Sequence, residues 1–118
     1  MGTFRVTIEV GDPQGARFVS VDALVDTGAT YTALPASLLR SLGVVPLERR
    51  TFDLSNGGRI DLDVGECRVR LDRRERTVPV VFSEEGAPAL LGAVTLEIFG
   101  LAVDPIRQRL FPVSGLLV

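Results

Sequence analysis

Histidine and tryptophan are missing from this 118-residue chain, and cysteine, methionine and tyrosine occur once each. Without an imidazole there is no Ser-His-Asp or Cys-His nucleophile system. The common zinc sites, built from several His and Cys ligands, fall with the same counts. The lone Cys67 forms no internal disulfide, and a reducing compartment is the expectation. It lies in "ECRVRLD", where Cys67, Val69 and Leu71 alternate with charges, so it reads as a small core residue. Lysine is absent too: all 13 basic residues are arginine, and against 15 acids they leave a net charge of −2. That balance gives no reason to expect nucleic acid or an anionic membrane as partner. No apolar run approaches a membrane span. The opening "MGTFRVTIEV" is too charged for a signal peptide, and Val6 stands where a myristoylation motif at Gly2 wants Ser or Thr. The expectation is a single cytoplasmic domain, residues 1–118, whose chemistry rests on carboxylates, hydroxyls, arginine, Tyr31 or backbone groups.

What the chain does have is short alternating segments. In "TFRVTIEV" Phe4, Val6, Ile8 and Val10 face one way and Thr3, Arg5, Thr7 and Glu9 the other, the pattern of a half-buried strand. "GDPQG" is a turn, and "RFVSVDALV" returns as the partner strand. "LPASLLRSLG" predicts a short helix starting near Pro35, with Leu34, Leu38 and Leu42 on one face and Gly43 as its stop. "TFDLSNGGRIDLDV" predicts a hairpin turning at Asn56-Gly57. "ECRVRLDRRERTVPVVF" predicts a second, turning near Arg73–Glu75, where Arg73, Arg74 and Arg76 read as a solvated face. "ALLGAVTLEIFG" reads as a buried strand, a glycine and a second short helix ended by Gly100. "LAVDPIRQRLFPV" closes the pattern with two short strands around Asp104-Pro105. Many short strands with two small helices describe a compact, mostly β barrel.

One stretch carries chemistry. "ALVDTGAT", residues 23–30, sets a lone carboxylate, Asp26, at the end of an apolar strand and follows it with a hydroxyl and a glycine. A bare Asp-Thr-Gly is common at strand ends as an acidic turn. Phosphotransferases also place Asp near Gly and Thr after a strand, but within larger folds whose nucleotide pockets nothing else here supplies.

The surroundings favour a third reading. Apolar strand, Asp-Thr-Gly-Ala-Thr, short helix, Asn-Gly hairpin, then "LLG" and a second helix form an ordered constellation. It resembles the retropepsin-like aspartic proteases, most of all their short prokaryotic members, across nearly the whole chain. "ALVDTGATYTALPASLLRSLG" and "LLGAVTLEIFGLAVDP" carry the resemblance. It implies a small closed β-barrel of acid-protease type with one or two short helices and a flap hairpin. It also implies an aspartic endopeptidase that needs neither metal nor cofactor. Asp26 is then the catalytic carboxylate, and Gly28 lets the backbone approach it. The Thr27 hydroxyl locks the loop toward a second subunit, Ala29 keeps the floor small, and Thr30 hydrogen-bonds the carboxylate from outside. Leu90, Leu91 and Gly92 match the element that packs behind the loop.

A single Asp-Thr-Gly supplies one carboxylate where the family's chemistry needs two, so the resemblance implies a homodimer. The Asn56-Gly57 hairpin becomes the flap over a peptide or protein substrate, with Phe52, Leu54, Ile60 and Leu62 along its arms and Gly57-Gly58 at a mobile tip. Two departures stand out. Retroviral relatives carry an acid where this chain has Thr30, and an arginine where it has Ala93. The apolar end "SGLLV" is expected in the dimer interface. The alternative is a catalytically silent dimeric peptide-binding or scaffold domain of the same fold.

Overall fold

The computed structural model describes residues 4–118; Gly2 and Thr3, which entered the reading above, lie outside them. The alternating first segment forms β1 (Arg5–Gly11), which pairs antiparallel with β2 (Phe18–Val25) from Arg5 opposite Leu24 to Gly11 opposite Phe18. Phe4, Ile8 and Val10 are buried and Val6 partly so, as period-two alternation dictates. In the turn, the Asp12 carboxylate accepts the Ala16 and Arg17 N–H groups at 2.8 and 2.7 Å. Those bonds, that from Arg17 foremost, hold its carboxyl below the ordinary carboxylate value.

The chain continues through β3 (Thr32–Pro35), α1 (Ala36–Ser41), β4 (Glu48–Asp53), β5 (Arg59–Leu71), β6 (Arg74–Ser83), β7 (Leu90–Leu91), α2 (Ala93–Ile98), β8 (Leu101–Asp104) and β9 (Arg109–Pro112). The main sheet runs β1-β2-β7-β3-β6-β5-β4, and β1 also pairs with β5 through Glu9–Gly11. Six strands therefore close into a ring, with β4 extending outward from β5. Phe99, Ile8, Leu34, Leu39 and Leu91 are fully buried inside it. Each such side chain contributes about 1.5–3 kcal/mol of apolar burial. Cys67 joins this core, where burial pushes its thiol up to about 12.

Three local expectations need correction. "TALP" is a strand of four residues that pairs parallel with β6 and touches β7, so Leu34 belongs to β3. The helix starts beside Pro35 as expected, but Leu39 is the side chain it buries within its span, with Leu38 only packed at the edge and Leu42 buried at its end. The second hairpin turns at Asp72-Arg73, two ordinary residues at φ 54° and 62°. Strand β6 begins at Arg74, so Glu75 is a strand residue, bound to Arg68 and Arg70 at 2.8 and 3.0 Å. The arginines after that turn are exposed but not idle. Arg74 donates to the Phe99 carbonyl and lies over its ring, and Arg76 donates to the Ile98 carbonyl at 3.3 Å. Both satisfy carbonyls at the open C-terminal end of α2.

The Asn56-Gly57 hairpin turns where expected. Gly57, at φ 89°, closes a three-residue loop in which Leu54 N donates to Gly58 O at 2.7 Å and Gly57 N to Leu54 O at 3.0 Å. Asp104, the last residue of β8, shapes the turn that follows, its carboxylate accepting the N–H groups of Ile106 and Arg107 at 3.1 Å each. Among the described residues no helix is long and apolar enough to cross a membrane.

Candidate active site

Strand β2 delivers Asp26 to the edge of the ring and the backbone fixes it there. Leu24 N donates to Ala89 O at 2.8 Å, Val25 N to Phe4 O at 2.8 Å and Asp26 N to Leu91 O at 3.0 Å. The loop then folds back on its own acid. Gly28 N donates to Asp26 Oδ1 at 2.9 Å and Ala29 N to Asp26 O at 3.1 Å. A side chain at Gly28 would start 3.1 Å from that same carboxylate oxygen. Asp26 is half-buried, whereas Thr27 and Gly28 are exposed beside it. Among the described residues the hydrogen-bond partner of the Asp26 carboxylate is the Gly28 N–H, not the Thr30 hydroxyl.

Behind the loop stands a second segment. Ala93 N and Val94 N, at the start of α2, donate to the carbonyls of Ala29 and Thr30 at 2.8 and 2.9 Å. Gly92 N donates to Thr32 Oγ1 at 3.1 Å, and that hydroxyl shares a 2.7 Å hydrogen bond with Thr95 Oγ1 in the core. Gly92 fits because it has no side chain. A Cβ there would lie 2.4 Å from the Tyr31 carbonyl carbon and 2.8 Å from Thr32 N. The buried Thr32–Thr95 pair was not anticipated; a threonine on each side of the Leu90–Gly92 element was its only trace in the sequence.

A cleft of about 430 Å³ opens between this loop and the β4–β5 hairpin. Gly28, Ala29 and Thr30 line one side and Phe52, Leu54, Ile60 and Leu62 the other. Asp26 and Thr27 sit beyond its lining, and Asn56, Gly57 and Gly58 form the exposed tip rather than a wall. Asn56 Oδ1 accepts Gly58 N at 2.9 Å, which shapes that tip. The cleft also takes in Leu90, expected only behind the loop, and Tyr31, Ala33, Arg50 and Val81, which the sequence did not place there. The Tyr31 ring meets Phe52 edge to face at 6.2 Å, and Arg50 donates to the Tyr31 hydroxyl at 2.6 Å. A wider depression of about 650 Å³ beside the Asp72-Arg73 turn contains no residue of the Asp26 loop, and its Arg70 and Glu75 pair with each other at 3.0 Å.

A closed ring of short strands, an Asp-Thr-Gly turn at its edge and an apolar-apolar-Gly segment bracing that turn from behind are features of the retropepsin-like aspartic protease family. The chain belongs to the family described as "gag-polyprotein putative aspartyl protease", whose model matches residues 17–97. The fold is that of retroviral proteases. It is similar to the simian foamy virus protease, with a TM-score of 0.57 and 19% identity over 81% of this chain and 94% of that one. It is similar also to EIAV protease, solved with the inhibitor HBY-793, with a TM-score of 0.57 and 16% identity over 82% of this chain and 88% of that one. A search of curated protein sequences finds no match.

Proposed function

We propose that the protein is an aspartic endopeptidase that works as a homodimer, with Asp26, Thr27 and Gly28 of each subunit forming the catalytic loops. The observation that carries this reading is the state of Asp26 in the single chain. Its loop is braced by hydrogen bonds to Leu91, Ala93 and Val94, yet its carboxylate is half-exposed and holds only the Gly28 N–H among the described residues. A rigidly mounted acid at an open edge is half of a carboxylate pair.

Two such acids about 3 Å apart cannot both ionise comfortably, so the pair shares one proton. The ionised member takes a proton from a water between them, and that water attacks the peptide carbonyl. The protonated member stabilises the developing oxyanion, and the leaving nitrogen then receives a proton. An extended peptide lies in the cleft as an added strand, with Ala29 and Thr30 beneath it and Phe52, Leu54 and Ile60 above. Asn56, Gly57 and Gly58 form the tip that must move for it to enter.

The C-terminus supports the dimer. Leu116 and Leu117 are fully exposed in the single chain, and apolar side chains so exposed suit an interface with a second subunit. Activity on an unfolded protein substrate, followed through serial dilution, is expected to fall faster than linearly and in step with dimer dissociation measured by sedimentation. Deleting residues 114–118 is expected to weaken the dimer. Activity proportional to concentration throughout, from a chain that sediments as a monomer, would refute the two-subunit site.

A further inference from the structure

The two faces of the β4–β5 hairpin differ in charge. On its outer face every acid or base has a partner across the strands: Arg49 with Asp63 at 3.1 Å, Arg59 with Asp53 at 2.9 Å, and Thr51 with Asp61 at 2.6 Å. The inner face follows from the register, which sets Arg50 opposite Leu62 and Phe52 opposite Ile60. It is apolar except for Arg50 and, at the start of β4 opposite Val64, Glu48, which makes no ion pair with Arg50 and does not line the cleft. That guanidinium lines the cleft and, among the described residues, has no carboxylate partner. Its one hydrogen bond goes to a neutral acceptor, the Tyr31 hydroxyl, and its carbon lies 5.5 Å from the centre of the Tyr31 ring. Asp53 also touches the cleft, but its carboxylate is held by Arg59.

We infer that Arg50, positioned by Tyr31, selects peptides carrying an aspartate or glutamate in the part of the cleft beside β4. The inference deepens the proposed function and rests on its peptide cleft. The chemistry is specific to arginine. Donating one N–H to Tyr31 fixes the plane of the guanidinium and leaves its other N–H groups for a carboxylate. As an acceptor from Arg50, the phenol keeps its own proton free to donate to the same carboxylate. An ammonium on a peptide would meet a like charge instead. Because the site is open to water, the discrimination between charged side chains is modest, roughly threefold to tenfold, and shrinks with added salt.

The experiment uses labelled peptides of one apolar frame in which a single position, scanned along the frame, is Glu, Gln or Lys. Binding is read by fluorescence anisotropy on the Asp26→Asn protein, and cleavage on the protein with Asp26 intact. At one position the Glu peptide is expected to bind tightest and the Lys peptide weakest. Arg50→Glu reverses that order, and Arg50→Lys and Tyr31→Phe each keep it with a narrower spread. A merely structural role for Arg50 would lower all three affinities together and leave their order unchanged. Equal binding of the three peptides at every position, or no binding of any, overturns the inference. A charge order in binding with no cleavage by the intact protein upholds the selectivity and removes the protease reading.

Discussion

Gly92→Ala tests whether the Asp26 loop is mounted as described. The backbone of Gly92 has φ −92° and ψ 174°, which any residue adopts, so conformational strain plays no part. The cost is steric, because the new Cβ would lie 2.4 and 2.5 Å from the carbon and oxygen of the Tyr31 carbonyl. Those are main-chain atoms that no rotamer change can clear. Either α2 retreats or the loop does, and both movements stretch the bonds from Gly92, Ala93 and Val94 to Thr32, Ala29 and Thr30. Overpacking costs about 2 kcal/mol, and with one or two of the three bonds lost at about 1 kcal/mol each the total is about 3–4 kcal/mol. With a urea slope of about 2 kcal/mol/M, the unfolding midpoint drops by about 1.5–2 M, compared at equal protein concentration because a dimer stabilises itself. The control is Gly57→Ala, where φ is 89° and the space is open, so that only about 1–2 kcal/mol of left-handed backbone strain is expected. A Gly92→Ala midpoint as high as that of Gly57→Ala would refute the argument.

Other consequences follow from buried and paired groups. Thr32→Val strands the Thr95 hydroxyl and Gly92 N–H inside the core and is expected to cost about 2–3 kcal/mol; the Thr32→Val/Thr95→Val pair costs less than the sum of the single changes, read in the same urea titrations. Acid weakens the fold. Glu75 is held below its ordinary value of 4.5 by Arg70 and then Arg68, and Glu85 likewise by the hydroxyl and then the N–H of Ser37. A carboxyl lowered in the folded state contributes stability above its unfolded value and loses it as pH falls through the folded one. The melting temperature should therefore fall below about pH 4.5, and less steeply in Glu75→Gln; equal slopes would show that these pairs carry no stability.

The elements most visible in the sequence were those with local causes. Alternation sufficed for β1 and β2, and Gly92 and Gly100 framed α2. Strand β3 was hidden because its four residues pair only with β6 and β7, which come from much later in the chain. The turn of the second hairpin was expected, but near Arg73–Glu75 and not at Asp72-Arg73, because left-handed backbone is adopted there without glycine or asparagine to mark it. In the site, Asp26 through Thr30 and the apolar arms of the hairpin were legible as one motif. Tyr31 and Arg50 were not, since an ordinary residue after the motif and a base in a mostly charged and polar segment acquire meaning only when the hairpin folds over the loop. The approach of the Gly28 backbone to the acid was legible and is present, whereas the expected bond from the Thr30 hydroxyl is not among those made by the described residues.

The most direct measurement compares the unaltered protein with Asp26→Asn for cleavage of an unfolded protein, from about pH 3 to about pH 7, at concentrations that favour a dimer. Cleavage that disappears in Asp26→Asn, with the fold retained, is the predicted result. Equal cleavage by both proteins, or none by either while a stable dimer binds peptide, would contradict a catalytic role for Asp26.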